Sequence, residues 1–289
     1  MKLQAKFSLI FLLVFGVQLA VAGYVCQGFL QRNARDQVIR QARLMMESSL
    51  ATRTYTEEQI KPLIHRNDTV FHPQIVPGYA ATEHFNYFRS AYPEYTYKEA
   101  TLNPTNLRDR AVDWEADIVN IFRNNPEQKD FSGERDTPAG RVLYLARPIK
   151  AVAPCLVCHS TPEVAPANMV KISGKTNGFG WKENEIIGAQ IVSVPLTVPI
   201  SMANTAFRQL MTSLVLIAIV TLVVLNLVLH FAVIRPVHRF SVMADEISKG
   251  NMDLPELPAS GKDEISTLEG AFNRMHRSLA KAMKMLDRH

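Results

Sequence analysis

Cysteine is scarce in this sequence, 3 residues in 289, too few for a disulfide scaffold. Dense basic runs are missing as well. The net charge is +5, but lysine and arginine are spread along the chain without interleaved aromatics, so no nucleic-acid partner is expected. Apart from one cysteine pair, no motif serves nucleophilic, carboxylate-pair or phosphate chemistry. No enzyme is expected.

What the chain does have is two long apolar runs. The first, "FSLIFLLVFGVQLAVAGYVCQGFL", follows Lys2 and Lys6. A basic start, an apolar core and Ala-Val-Ala before Gly23 fit a cleaved signal peptide. Apolarity nevertheless continues to Leu30, giving the ~20 residues of a spanning helix, and an uncleaved anchor is the favoured reading. Cys26 is not a lipoprotein site, because Val25 before it is not the small residue that such processing takes. The second run, Leu210 to Ile234, contains no Lys, Arg, Asp or Glu and is long enough to cross ~30 Å of hydrocarbon. Arg235 and Arg239 follow it, the basic flank of a cytoplasmic side. At the first run, Arg32, Arg35, Arg40 and Arg43 outnumber Lys2 and Lys6, so charge alone leaves the orientation open.

Between the runs, "ARDQVIRQARLMMESSLA" continues out of the membrane as a helix with Val38, Ala42, Met45 and Met46 near one face. "YTEEQIKPLIHR" reads as a short helix broken at Pro62, and "VPGYAATEHFNYFRSAYP" as another. In "RAVDWEADIVNIFRNN", Ala111, Trp114, Ile118 and Phe122 recur at three-to-four spacing, an amphipathic helix. "EYTYKEATLN", "GRVLYLARPIKAV" and "NEIIGAQIVSVPL" read as strands, with long loops elsewhere. Helices against a small antiparallel sheet, an α+β domain, is the expected fold.

After Ile234, Val237, Phe240, Ala244 and Ile247 are spaced three, four, three. Beyond a connector, Ile265, Leu268, Phe272, Met275, Leu279, Ala282 and Leu286 alternate three and four. Neither helix buries such a seam alone, and a parallel four-helix bundle from two subunits is the simplest solution. With Pro236 just past the membrane, Gly250 opening the connector, Met252, Leu254 and Leu257 within it, and Asp263-Glu264 opening the second helix, residues 235–285 resemble a HAMP signal-relay domain. The resemblance implies a homodimer.

The cysteine pair lies in "RPIKAVAPCLVCHSTPEVAP": Cys155 and Cys158, with His159 next to the second. A zinc site would need a further closely spaced ligand. A thioredoxin-like dithiol would need a βαβ context. Covalent haem c, one per chain, uses every residue: two thioether bonds from Cys155 and Cys158, and His159 as axial ligand to the iron. Such attachment takes place outside the bacterial cytoplasm. The expected order is therefore residues 1–6 as a cytoplasmic N-terminus, 7–30 as the first span, 31–207 as a periplasmic domain, 208–234 as the second span and 235–289 as the cytoplasmic HAMP domain, in a bacterial inner membrane.

The stretches "YKEATLNPTNLRDRAVDWE", "RPIKAVAPCLVCHSTPEVAP" and "GFGWKENEIIGAQIVSVPL" together resemble the periplasmic c-type haem sensor domains, long catalogued as a domain of unknown function. The resemblance covers about Gln41 to Leu196 and implies a PAS-like fold around one covalent haem. Asn103 and Pro104 read as a strand-ending turn, and Trp114 and Trp181 as core or pocket wall. For the sixth iron ligand, Met46 or Met45 ranks ahead of His72, beside an open position suited to a gas. The functional expectation is a membrane receptor of redox state or a diatomic gas, passing its signal through HAMP to a separate cytoplasmic protein. The alternative is a membrane-anchored monohaem cytochrome that transfers electrons.

Overall fold

Val38, Ala42, Met46 and Ser49 recur at four, four and three residues, and this stripe is the fully buried face of helix α1 (Leu3–Tyr55). The computed structural model describes residues 3–67 and 70–286; Lys2 and His289 lie outside them. The chain divides into two compact units, residues 27–206 and residues 1–26 with 207–289.

In the first unit four antiparallel strands, β1 (Thr96–Thr101), β2 (Phe131–Thr137), β3 (Gly140–Lys150) and β4 (Ile186–Pro195), pair in the order β1-β4-β3-β2. Alternate side chains of central β4 point to opposite faces. Val192 and Val194 join Leu143, Leu145 and Tyr97 under α1 and α3 (Pro77–Ala91). Ala189 and Ile191 join Ala100 and Ala146 under α4 (Asp113–Asn124), through Ile118, Val119 and Phe122. Cover on both faces explains why β4 is apolar almost throughout. This is the expected α+β, PAS-like arrangement.

The structure corrects three local expectations. Pro62 does not break the helix: a π-helical turn, Thr56–Ile60, carries it into α2 (Lys61–Asn67), and that wider turn takes up the missing N–H and the crowding of the proline ring. β2 carries no apolar alternation; its inward Arg135 lies over the Trp114 ring at 4.1 Å, so a cation–π contact takes the place of a hydrophobic residue. The segment between β3 and β4 holds two short helices, α5 (Ala153–His159) and α6 (Ala167–Ser173), in place of a long loop.

Among the described residues, two helical stretches, Gln4–Ile64 and Thr197–Ser248, are long and apolar enough to cross a membrane. Ser8 Oγ donates to Asn226 Oδ1 at 2.5 Å. Helix α7 (Thr197–Leu229) passes through a π-helical turn, His230–Ile234, into α8 (Arg235–Ser248). Pro236 explains the turn, because it lacks the N–H of a regular α ladder and crowds the carbonyl four residues back. Phe240, Met243 and Ile247 of α8 and Phe272 of α9 (Glu264–Leu286) pack with connector residues Met252, Leu254 and Leu257. Val237, Leu268, Met275 and Leu279, further residues of the seam, stay between 43% and 54% exposed in one chain. The buried polar residues Asn273 and His276 face the connector: Asn273 Nδ2 donates to Leu257 O at 2.8 Å, its Oδ1 accepts from Leu257 N at 3.0 Å, and His276 Nε2 donates to Met252 O at 3.1 Å.

Candidate cofactor site around Cys155, Cys158 and His159

The segment from Ala151 to Glu185 is an excursion between two paired strands, closed at its base by Ala151 N–H to Glu185 O and Asn184 N–H to Ala151 O, both at 2.8 Å. Its first helix is α5. Pro154 fits the start of that helix, where the backbone N–H has no helical partner. Cys155 and Cys158 fall one turn apart, on the same side of the helix, and both thiols are free and half-buried. The sulfurs are not joined, and no parallel βαβ unit surrounds them. Among the described residues no three His, Cys, Asp or Glu side chains gather as metal ligands, so the zinc half-site reading gains no partner.

His159 ends α5 and is held on three sides. Its Nδ1 lies 2.7 Å from Gly178 O and 3.3 Å from Thr105 Oγ1. A carbonyl only accepts, so Nδ1 carries the proton. Burial lowers the His159 pKa, against the opposing pull of the Gly178 carbonyl. The neutral ring therefore keeps its lone pair on Nε2. Trp181 stacks on the imidazole with centroids 3.9 Å apart and planes 15° apart. The loop carrying Gly178 to Trp181 is itself tied back to the end of α5, through Trp181 N–H to His159 O at 3.2 Å and Gly180 N–H to Ser160 O at 2.9 Å.

A second loop, between β1 and α4, meets it. Ala111 N–H to Thr101 O at 2.9 Å pins its ends together, so Asn103, Thr105 and Asn106 project from a closed base. At its exit, Glu115 is buried, accepts from Val112 N–H at 3.0 Å and pairs with Lys98 at 2.6 Å.

Two cations reach the thiols through their fields, Arg53 of α1 toward Cys155 and Lys61 of α2 toward Cys158. Burial outweighs Lys61 and holds the Cys158 thiol above its ordinary pKa. Arg53 is bound by Glu99, which also accepts from Tyr97 OH at 2.7 Å. Burial and the Glu99 carboxylate together push Tyr97 well above an ordinary phenol.

The structure thus brings Cys155, Cys158 and His159 onto one short helix. Met46 lies elsewhere, fully buried in the core between α1, α3 and the sheet, and Met45 packs partly against that core. His72 caps a 3-10 turn, Pro73–Ile75. The partners described for His159 are Thr105, Gly178 and Trp181, and none of the three candidate sixth ligands is among them. Trp181 is a wall of the site, as its sequence context implied, whereas Trp114 packs near the α4 core. Asn103 was legible only as a turn residue. Its side chain reaches Gly178 N–H and Phe179 O, both at 3.1 Å.

Residues 31–195 match the family model described as Tll0287-like, and residues 228–281 match the HAMP domain. Among solved structures, the crystal structure of the cyanobacterial heme-protein Tll0287 matches at 15% identity and a TM-score of 0.43, over 54% of this chain and 94% of that one. No curated protein sequence matches.

Proposed function

The chain belongs to the Tll0287-like family, whose model spans more than half of it, and from that premise we propose that it is a haem c sensor of the bacterial inner membrane. The observation that carries this reading is the state of His159. Nδ1–H is committed to Gly178 O, so Nε2 is left as a lone-pair donor beside two free thiols on the same helix. Such a donor set fits a covalent haem, with Cys155 and Cys158 forming the thioether links and His159 serving the iron. Haem, when bound, supplies an iron whose charge and axial ligation change with redox state or with a diatomic gas.

The chain's own residues do the rest. Thr105, Gly178 and Trp181 hold the imidazole in one orientation, so a change at the iron is felt by a fixed ligand. The thioether links require the 31–207 domain to be periplasmic, and Arg235 and Arg239 then place HAMP in the cytoplasm. The exposed Val237, Leu268, Met275 and Leu279 stripe takes a second copy of the chain. A cytoplasmic partner receives the output.

For the sixth ligand, Met46 or Met45 comes first and His72 second, and an open position suited to a gas is equally compatible. Met46→Ala is expected to change the reduced optical spectrum and lower the potential, because a thioether favours ferrous iron. A response from His72→Ala alone would reverse the ranking, and silence from all three would remove them.

The sensor reading is tested in membranes, in a Cys26→Ser background with a cysteine at Leu268 or Met275. Coupling of ~1–3 kcal/mol changes state populations about five-fold or more. Crosslinking between subunits should therefore differ between ferric and ferrous protein, or with and without carbon monoxide. Equal crosslinking in every haem state would leave a membrane-anchored electron-transfer cytochrome.

A further inference from the structure

We propose that Asn103 is the positioning residue of His159: its side-chain amide fixes the carbonyl that takes the imidazole Nδ1 proton. Adjacent Asn106 behaves as a turn asparagine does, accepting from Arg108 N–H two residues on at 3.2 Å. Asn103 does not. Its Oδ1 accepts from Gly178 N–H and its Nδ2 donates to Phe179 O, each at 3.1 Å and some 75 residues away in the chain. The two bonds grip the backbone on either side of the 178–179 peptide, whose carbonyl lies 2.7 Å from His159 Nδ1. The amide also fits in one orientation only, since an N–H must meet oxygen and a carbonyl must meet the NH2 group.

Three consequences follow from that grip. The proton stays on Nδ1, Nε2 stays free, and the ring gains basicity through a fixed hydrogen bond to its far nitrogen. Trp181, stacked on the ring and bonded through its N–H to His159 O, belongs to the same loop and moves with it. Asn103 therefore acts on the ligand through Gly178, without contacting the iron. This rests on the haem reading for its effect on iron, but not for its effect on the histidine.

Two readouts separate these. In the full chain made without haem attachment, labelled with nitrogen-15 histidine in detergent, the His159 signal is identified by its loss in His159→Gln. Wild-type His159 is expected to carry its proton on Nδ1, and Asn103→Ala to mix the two tautomers. A proton on Nε2 in the wild type overturns the proposal, whether or not any variant folds. In the haem-loaded chain, the weaker imidazole of Asn103→Ala should stabilise ferric iron less. The ferrous-to-ferric ratio at a fixed ambient potential should rise about tenfold, the size expected for a ligand's outer partner, or about 59 mV for one electron. Asn106→Ala should leave both readouts at wild-type values. If Asn103→Ala keeps a single Nδ1 tautomer and a ratio within about two-fold of wild type, the proposal fails. If no haem attaches at all, the haem reading fails, and the tautomer measurement still decides the role of Asn103.

Discussion

Replacing both Cys155 and Cys158 by serine is expected to abolish haem that survives denaturation, in protein made alongside the haem-attachment machinery. In detergent and heat the imidazole bond to iron is lost with the fold, so only thioether bonds can carry haem onto a denaturing gel. Wild-type protein should stain for haem and give the pyridine spectrum of two saturated vinyl positions. Each single serine variant should keep one link and show the shifted spectrum of one remaining vinyl group. The double variant should keep none. The free thiols, half-buried and one turn apart, are available for this chemistry without unfolding α5. Haem staining retained by the double variant, or stoichiometric zinc in haem-free wild type, would sink the cofactor assignment.

The second large effect lies in the loop that receives His159. Gly178 sits at φ +83, and a Cβ there would come within 2.8 Å of the backbone N and Cα of Thr105. Gly180 has φ +80 but open space around the same position. Both alanine variants carry the cost of a left-handed backbone, about 1–2 kcal/mol. Only Gly178→Ala adds a collision with main chain that no side-chain rotation relieves, so its total should exceed that of Gly180→Ala by about 1–3 kcal/mol. The difference is read from urea midpoints of the two variants. Gly178→Ala should also release His159, since the Gly178 carbonyl and Thr105 hydroxyl are its two polar partners. Equal destabilisation by the two substitutions would show that the close approach to Thr105 is not maintained in solution.

These contacts explain which parts of the molecule were readable in advance. Periodicity is local, so α4 with Ile118 and Phe122, the β4 run, and the seam through Phe240, Ile247 and Phe272 could all be seen from spacing. The grouping of Cys155, Cys158 and His159 on one short helix was legible for the same reason, being written in five consecutive residues. Strand β2 was not, because its inward face uses Phe131, Gly133 and Arg135, and arginine paired with Trp114 gives no apolar signal. The grip of Asn103 on the Gly178 loop joins segments that only the folded sheet brings together. Alone in the sequence, Asn-Pro at a strand end describes a turn. Likewise Asn273 and His276 are polar residues of a heptad helix, and nothing in their spacing announces that they are buried against the connector.

The Asn273 contact bears on how quickly the relay's connector exchanges its amide hydrogens with solvent. Residues 251–260 form no helix or strand, and such a stretch ordinarily exchanges fast. Leu257 is an exception, because its N–H is bonded to a side chain of α9, with its own carbonyl bonded to the same amide. No ladder neighbour shares that protection. Its exchange rate is thus a clock for one event, the lifting of the connector from α9, separate from the fraying of either helix and from the opening of the four-stranded sheet.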